Sequence, residues 1–296
     1  KGTSKGIALA TDGNGRYCYL DPRAGGAIAV AEACRNVTCA GAEPIALTDC
    51  LNFGDPEQPE VAYQLEECIK GIAEASEALN APVISGNVSL YNETHGKAIY
   101  PTPIIGALGI LDRVSQHVTP AFQDPGDMVV LLGASEVRGE ARSLAGSEYL
   151  ELLHAIVAGR PTIDLDLESA VQTACRRGIA EEVLKSAHDC SDGGLAIALA
   201  ECCIAGEVGF RGTFRTTGRW DAALFGEDQS RIVVSLSPDK QAHLEEICGE
   251  EGAPWTVLGH IAEGALTVPG YMDISLEPMG AAWRGGLQHA LNGHAS

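Results

Sequence analysis

Two polar motifs, each following a short apolar run, contain residue types that suit phosphate and magnesium chemistry. Residues 48–54 (TDCLNFG) follow the apolar run 44–47, and residues 85–91 (SGNVSLY) follow the run 82–84. Carboxylate and amide oxygens are ligands for magnesium, and glycine-rich backbone supplies N–H donors for an anion. We interpret both motifs as strand ends that could form a magnesium–phosphate site at one sheet edge. The alternative is a pair of ordinary polar turns, which use the same residues.

Two further stretches carry charged groups near a predicted helix or strand start. Residues 188–194 (HDCSDGG) precede a predicted helix, whose free N–H groups could hold an anion, although Ser or Asp at that position also caps helices. Glu227 and Asp228 could contact a ribose or metal and Arg231 a phosphate, or the loop could hold only a local ion pair. A P-loop, a Ser/His/Asp order and a His-Glu-x-x-His motif are absent from the sequence, which excludes the P-loop class of ATP enzymes.

Composition narrows the possible partners and the compartment. The 296 residues predict about two domains, with 45% hydrophobic residues, and the net charge of −20 argues against nucleic-acid and anionic-membrane partners. The sequence shows neither a membrane-length apolar run nor a signal peptide, and its ten cysteines lack metal spacing, so we predict a reduced, cytoplasmic protein. Since the chain begins at Lys1 rather than Met, we expect it to be a piece of a longer protein. Six cysteines lie in helix-period segments and are predicted to pack in the core: Cys34, Cys39, Cys68, Cys175, Cys202 and Cys248.

Hydrophobic periodicity predicts a layered α/β fold with two domains, residues 1–118 and 119–296, joined through a polar segment at 112–127. Asp21 and Pro22 are predicted to cap and start a helix, and residues from Asn292 to form a loose tail. The predicted strands are 6–10, 17–20, 44–47, 82–84, 99–111 (bent at its prolines), 128–133, 231–236 and 255–261. The predicted helices are 24–40, 60–79, 146–156, 167–179, 181–187, 195–205 and 238–249.

Four motifs in order resemble one enzyme family. Residues 12–22, 48–54, 85–92 and 188–194 are similar to the second half of the phosphoribosylformylglycinamidine synthases, the synthetase subunits of purine biosynthesis in the AIR-synthase-like superfamily. The resemblance runs from near Lys1 to near Ala290. It implies an amino-terminal ATPase-type domain with a mixed sheet and a carboxy-terminal α/β domain. It also implies that the chain is one half of a pseudo-dimer.

The resemblance implies an ATP-dependent C–N ligase that uses ATP and Mg²⁺. In this family ATP phosphorylates the amide oxygen of formylglycinamide ribonucleotide, and ammonia from a glutaminase subunit displaces the phosphate to give the amidine. The implied partners are therefore the first half of the synthetase, the glutaminase subunit and the small-molecule substrate, and two copies of this half could pair as a homodimer. The alternatives are another superfamily member, making selenophosphate or aminoimidazole ribonucleotide, and a structural half that binds nucleotide without turnover.

The resemblance also assigns roles to single residues. Asp49 and Gly86 fall on ATP-binding positions, Asn87 on a magnesium position and Ser89 on a substrate position. The catalytic His of the family belongs to the first half, so this chain receives no catalytic residue and is expected to be inactive alone. Asp228 stands where the family's first half has Ser, and its charge would repel a substrate phosphate. An auxiliary nucleotide or metal site is expected at four further residues, Asp189, Asp192, Gly193 and Glu227.

Overall fold

The computed structural model describes residues 2–293, which form the predicted mixed α/β layers. The helices are α1 (Gly15–Leu20), α2 (Pro22–Cys39), α3 (Pro59–Ala78), α4 (Glu148–His154), α5 (Leu165–Ala180), α6 (Gly194–Gly206), α7 (Trp220–Phe225), α8 (Gln241–Glu251) and α9 (Leu276–Gly293). The strands are β1 (Gly6–Asp12), β2 (Glu43–Asn52), β3 (Val83–Ser89), β4 (Glu93–Thr94), β5 (Lys97–Ala98), β6 (Thr102–Leu111), β7 (Met128–Leu132), β8 (Arg138–Gly139), β9 (Ser186–Asp189), β10 (Gly209–Gly212), β11 (Thr217–Gly218), β12 (Ile232–Leu236), β13 (Trp255–Ala262), β14 (Ala265–Val268) and β15 (Met272–Ser275). Short 3₁₀ turns lie at Val114–Gln116, Ala141–Leu144 and Pro238–Lys240.

The first sheet has the strand order β1-β6-β2-β3. β6 pairs antiparallel with both β1 and β2, whereas β2 and β3 pair in parallel through the crossover helix α3. Alternate residues of β6, including Ile105 and Ala107, are buried against α2, which is itself almost wholly buried. The opposite face of this sheet leaves Ile7 and Leu9 about three-quarters exposed, at 73% and 76%. One face of the sheet is therefore a core face and the other is open.

The second sheet is the centre of a three-layer unit, with the order β15-β14-β10-β13-β7-β12-β9. Successive residues of β7 point to opposite faces. Val130 and Leu132 pack in a cluster with α5 and α8, while Val129 and Leu131 pack in a separate cluster with α6. A sheet with helices on both faces is buried on both sides, which explains the continuous apolar run in β7.

The structure corrects two predicted elements. Residues 17–20, predicted as a strand, belong to α1, because the Asn14 side chain accepts hydrogen bonds from the Arg16 and Tyr17 backbone and starts a helix. The predicted helix at 181–187 is wrong, because Ser186–Asp189 forms β9 and pairs with β12. The bent strand predicted from residue 99 begins at Thr102.

Other predictions are confirmed within the described residues. Asp21 caps α2 and Pro22 is its first residue. The six cysteines assigned to the core are buried, as are Cys18, Cys190 and Cys203, and Cys50 is half-buried. None of the helices in residues 2–293 has the length and apolarity needed to cross a bilayer. Of the tail predicted from Asn292, the last three residues lie outside the described part of the chain.

The α2–α3 contact depends on a glycine at position 71. A Cβ placed on Gly71 would lie 1.9 Å from the Arg23 carbonyl oxygen and 3.0 Å from the Ala27 nitrogen, both in α2. This backbone approach is too close for any side chain, so we expect Gly71→Ala to lower the free energy of unfolding by about 1–3 kcal/mol through overpacking. Urea unfolding of the purified chain measures the change.

Gly249→Ala is the matched control for this prediction. Gly249 also lies inside a helix, α8, but a Cβ there meets no atom within 4 Å. Because alanine has the higher helix propensity, this variant should gain about 0.5–1 kcal/mol. Equal effects of the two substitutions would show that helix packing at Gly71 does not limit stability.

Candidate functional site

The motifs at 48–54 and 85–91 lie side by side, as predicted, on the parallel strands β2 and β3. Asp49 pairs with Gly86 in the register of the two strands, and Asn52 pairs with Ser89. The prediction that the motifs follow the strand ends is wrong, because the strands continue to Asn52 and Ser89. The polar groups therefore sit within a paired ladder, in which backbone groups between β2 and β3 are bonded, whereas those on the outer side of the edge strand β3 face no neighbouring strand.

Strand alternation divides the candidate residues between two faces of the sheet. Successive side chains point to opposite faces, so Asp49 and Gly86 share one face, and Asn87 and Ser89 share the other. Asn87 and Ser89 lie on the open face, in register with the outward-facing Cys50 and Asn52. The proposed nucleotide residues, Asp49 and Gly86, are thus adjacent to the proposed magnesium and substrate residues. The two pairs lie on opposite faces of the sheet and do not share one enclosed pocket.

Asp49 and Gly86 are in direct contact. A Cβ on Gly86 would lie 1.8 Å from Asp49 Oδ1, so only glycine lets the carboxylate lie against the neighbouring strand. Partial burial raises the pKa of Asp49. The pair lines an open groove of about 480 Å³ together with the apolar Ile84 and Val88 of the edge strand. An apolar wall beside a carboxylate suits a nucleoside whose base packs and whose hydroxyls or amines hydrogen-bond.

Asn87 and Ser89 differ in whether their side chains already form hydrogen bonds within the protein. Asn87 is exposed, and its amide has no hydrogen-bond partner among the described residues. The Ser89 hydroxyl donates to Asn92 Oδ1 at 3.2 Å, and Asn92 also ties the loop to the Phe53 carbonyl at 3.0 Å. An amide oxygen is a suitable magnesium ligand, but Mg²⁺ requires six oxygens. This open strand supplies only part of that set.

A second group of predicted residues converges on the Glu227 carboxylate. Glu227 is buried, and its Oε1 accepts hydrogen bonds from the backbone nitrogens of Gly193 and Glu148, both at 2.8 Å. The Tyr17 hydroxyl donates to its Oε2. The N–H of Gly193, predicted to hold an anion, is therefore already taken by a side chain. Glu227 caps the N-terminal ends of α4 and α6 and joins them to α1.

Asp189 faces an arginine rather than a free cavity. It is buried at the end of β9, where Oδ2 lies 3.9 Å from Arg35 Nη1 and Oδ1 lies 3.4 Å from His188 Nδ1. Arg35 is fully buried and forms a two-pronged ion pair with Glu168, at 2.9 and 3.0 Å. Burial would raise the pKa of Asp189, but the hydrogen bond with His188 and the charge of Arg35 hold it below its ordinary value. Asp189 is ionised and neutralised within the protein, which leaves little charge for a metal.

Asp192 lines a cavity of about 280 Å³ with two other carboxylates, Asp12 and Glu32. Burial and the nearby Asp189 raise the pKa of Asp12 to about 7, and burial and Asp12 raise the pKa of Glu32 well above its ordinary value. Two such acids in contact retain a proton between them. No three His, Cys, Asp or Glu side chains within residues 2–293 are arranged to hold a metal ion.

Arg231 and His188 both make structural contacts. The Arg231 guanidinium donates to the backbone carbonyls of Asp228 (3.0 Å) and Gly226 (2.7 Å), so it braces the loop and is not available for a phosphate. His188 hydrogen-bonds Glu201 at 2.8 Å. Burial would lower its pKa, but the partners Asp189 and Glu201 raise it to about 9.

Three residues of this region were not singled out by the motifs: Asp12 as an acid, Glu32 and Arg35. Glu32 and Arg35 stand in the middle of α2, a helix made mainly of Ala, Val, Ile and Gly. A charged residue in an otherwise apolar helix must find a partner when it is buried. Their charge within an apolar helix was therefore the sequence signal that Glu32 and Arg35 are buried and partnered. Local sequence could not show which residues their partners are.

Comparisons with known proteins identify the family of this chain. Residues 2–111 match the family model "AIR synthase related protein, N-terminal domain", and residues 124–269 match the corresponding C-terminal domain. The chain is 46% identical to the phosphoribosylformylglycinamidine synthase subunit PurL of Anaeromyxobacter sp. over 99% of its length, and 48% identical to that of Thermomicrobium roseum over 97%. It spans only 39% of the length of each of these relatives.

A solved structure shows the same fold. PurL of Thermotoga maritima, in a structure described as complexed with FGAR, superposes with a TM-score of 0.76 over 93% of this chain and 46% of that chain. The sequence identity is 21%, so this likeness concerns the fold alone.

The acid pair predicts a pH-dependent stability. The carboxyl group of Asp12 has an ordinary pKa of 3.8, so in the unfolded chain it loses its proton near pH 4. In the folded chain it keeps that proton until about pH 7. The stabilisation is complete below the unfolded pKa and is lost as the pH rises through the folded pKa. We expect Asp12→Asn to raise the melting temperature relative to the parent chain, by an amount that grows between pH 4 and pH 7.

The control for this series is Asp239→Asn, at an exposed carboxylate. Its difference from the parent chain should stay constant across the same pH range. Thermal unfolding in buffers of matched ionic strength measures both. A constant difference for Asp12→Asn as well would show that Asp12 is ionised in the folded chain throughout this range.

Proposed function

The chain belongs to the AIR synthase related family, and we propose that it forms the carboxy-terminal half of a phosphoribosylformylglycinamidine synthase. The observation that supports this most strongly is 46–48% identity to the PurL subunit across nearly the whole chain. The enzyme would be an ATP-dependent ligase that converts formylglycinamide ribonucleotide and ammonia to the amidine, with ADP and phosphate as the other products. Location in the cytoplasm and division into domains at 1–118 and 119–296 belong to the same proposal.

We propose that β2 and β3 supply one wall of the ATP–magnesium site. Asp49 and Gly86 would contact the nucleotide in the apolar groove, Asn87 would offer its amide oxygen to Mg²⁺, and Ser89 would bind substrate. Phosphoryl transfer depends mainly on positioning and charge neutralisation, so such residues can act without a covalent nucleophile. Solved structures of Thermotoga maritima PurL are described as complexes with ATP and with FGAR, which supports this role.

The remaining part of the site would come from the open face of the first sheet. Asn87 and Ser89 point to the same face as the exposed Ile7 and Leu9. An apolar sheet face of this kind is normally covered in a folded assembly. We propose that the first half of the synthetase covers it, and that ammonia reaches the completed site from a glutaminase subunit. In the absence of the first half, a second copy of this chain would cover the face.

The auxiliary nucleotide site of this proposal would be centred on Asp192. Gly193 and Glu227 are bound to each other, and Asp189 is neutralised by Arg35. Asp192 instead lines the cavity with Asp12 and Glu32. A structural half that binds nucleotide without turnover remains the alternative function, and this cavity is the part of the chain that would favour it.

Calorimetric titration with Mg-ATP tests the proposed wall. We expect weak binding to the parent chain and about tenfold weaker binding to Asn87→Ala, because one metal ligand is lost. Gln241→Ala, which removes an exposed amide on α8, should bind like the parent. If Asn87→Ala binds normally and Asp192→Asn does not, the nucleotide site lies at the acidic cavity. If the parent chain binds only after the first half is added, the two halves share the site.

Sedimentation tests the open sheet face. We expect the parent chain to form a dimer at high concentration and Leu9→Lys to remain monomeric, because a charge would be buried in the contact. Leu152→Lys is the matched control, since Leu152 is also 76% exposed but lies on α4. A parent chain that is monomeric at every concentration would contradict pairing through this face.

A further inference from the structure

A cavity lined by three arginines lies where the unit built on the first sheet meets the unit built on the second sheet. It lies away from the four motifs. Arg113, Arg176 and Arg177 line it, and its volume is about 220 Å³. Arg113 follows the end of β6, whereas Arg176 and Arg177 lie in the last turn of α5. The chain has only 20 Lys and Arg against 40 Asp and Glu, so three arginines around one small cavity are a strong local departure from its acidic character.

Arg176 has no acidic partner within ion-pair distance among the described residues. Its Nη1 lies 3.4 Å from Thr38 Oγ1 and its Nη2 lies 3.2 Å from Thr173 Oγ1, so both contacts are to hydroxyls. Burial lowers the pKa of the Arg176 guanidinium, and the more distant carboxylates Glu43 and Glu251 offset only part of this effect. A half-buried cation with no carboxylate in direct contact is the arrangement that an anionic ligand relieves.

The other two arginines leave donors free on the cavity side. Arg177 is bound through Nε and Nη1 to Glu181, Glu250 and Glu251, so its Nη2 has no partner among the described residues. Arg113 uses Nε to hydrogen-bond Gln116 at 2.9 Å, which leaves its two terminal nitrogens available. Guanidinium groups bind phosphate or carboxylate through paired donors, so these nitrogens form a suitable set.

Two carboxylates and an apolar wall limit what the cavity can take. Asp112 is paired with Lys5 at 3.0 Å, but Glu43 has no cation within 4 Å among the described residues. Glu43 therefore opposes an anion and directs it towards Arg176. Ile110 and Ile179 line the remaining wall, which suits an uncharged organic group attached to the anion.

We propose that this cavity is a binding site for a small phosphate monoester. The phosphoryl group would be bound by Arg176, with Arg113 and Arg177 completing the donors, and the organic group would pack on Ile110 and Ile179. The cavity lies between β6 and α5, so a ligand there would bridge the two units. Its lining contains no residue of the motifs at 48–54 and 85–91, although Glu43 is the first residue of β2. The inference therefore does not depend on the proposed synthetase activity.

Calorimetric titrations with inorganic phosphate and with ribose 5-phosphate, at constant ionic strength, test the site. We expect saturable binding of both, with the ester at least as tight as phosphate. Arg176→Gln should weaken both about tenfold or more, because a charge-assisted pair of hydrogen bonds is lost. Glu43→Gln should tighten both, because a like charge is removed from the cavity.

Two further variants keep the test decisive. Arg113→Gln changes an exposed residue that is expected to leave folding intact, and it should weaken binding even if Arg176→Gln does not fold. Arg138→Gln removes the same charge from an exposed position on β8 and should bind like the parent. Absence of saturable binding to the parent chain, or equal affinities in the Arg113→Gln, Glu43→Gln and Arg138→Gln variants, would overturn the proposal.

Discussion

The buried ion pair between Arg35 and Glu168 is the contact on which the rest of the site region depends. Arg35 lies in α2 and Glu168 in α5, separated by 133 residues, and both side chains are fully buried. Removal of one partner from such a pair typically costs about 3–5 kcal/mol, because an unpaired charge is left in the interior. The pair also hydrogen-bonds two neighbouring residues. Ser230 donates to Glu168 at 2.6 Å, and Arg35 donates to Gln229 at 3.0 Å. These contacts fix the loop that carries Glu227.

This network also determines which acids are charged. Asp189 is ionised beside His188 and Arg35. Burial is the main cause that raises the pKa of Asp12 and of Glu32, and the negative charge of Asp189 adds to it, whereas Arg35 opposes it. Part of the formal charge of the acidic cavity is therefore absent at neutral pH, which lets its carboxyl groups lie close together.

Local sequence predicted the elements whose signals are local. The cap at Asp21 with Pro22, the apolar stripe of α3 and the continuous apolar run of β7 each depend on neighbours within a few residues. The strand predicted at 17–20 was wrong because the Asn14 cap outweighed an alternating pattern only four residues long. Residues 186–187 were predicted as the end of a helix because the strand character of β9 depends on pairing with β12, more than 40 residues away. The Arg35–Glu168 pair had no local signal for its partner.

For the candidate site, the sequence indicated the right strands but not the way their side chains are arranged. Polar motifs suggested strand ends, where all donors could meet, whereas the structure places them within a parallel ladder in which alternation separates Asp49 from Asn87. A ligand that contacts both residues must pass around the edge strand β3, which is exposed along almost its whole length. An exposed edge with an amide on one face and a carboxylate on the other cannot exclude water from a reacting phosphate by itself. A second surface against β3 and the open sheet face is therefore a physical requirement of any phosphoryl transfer at this position.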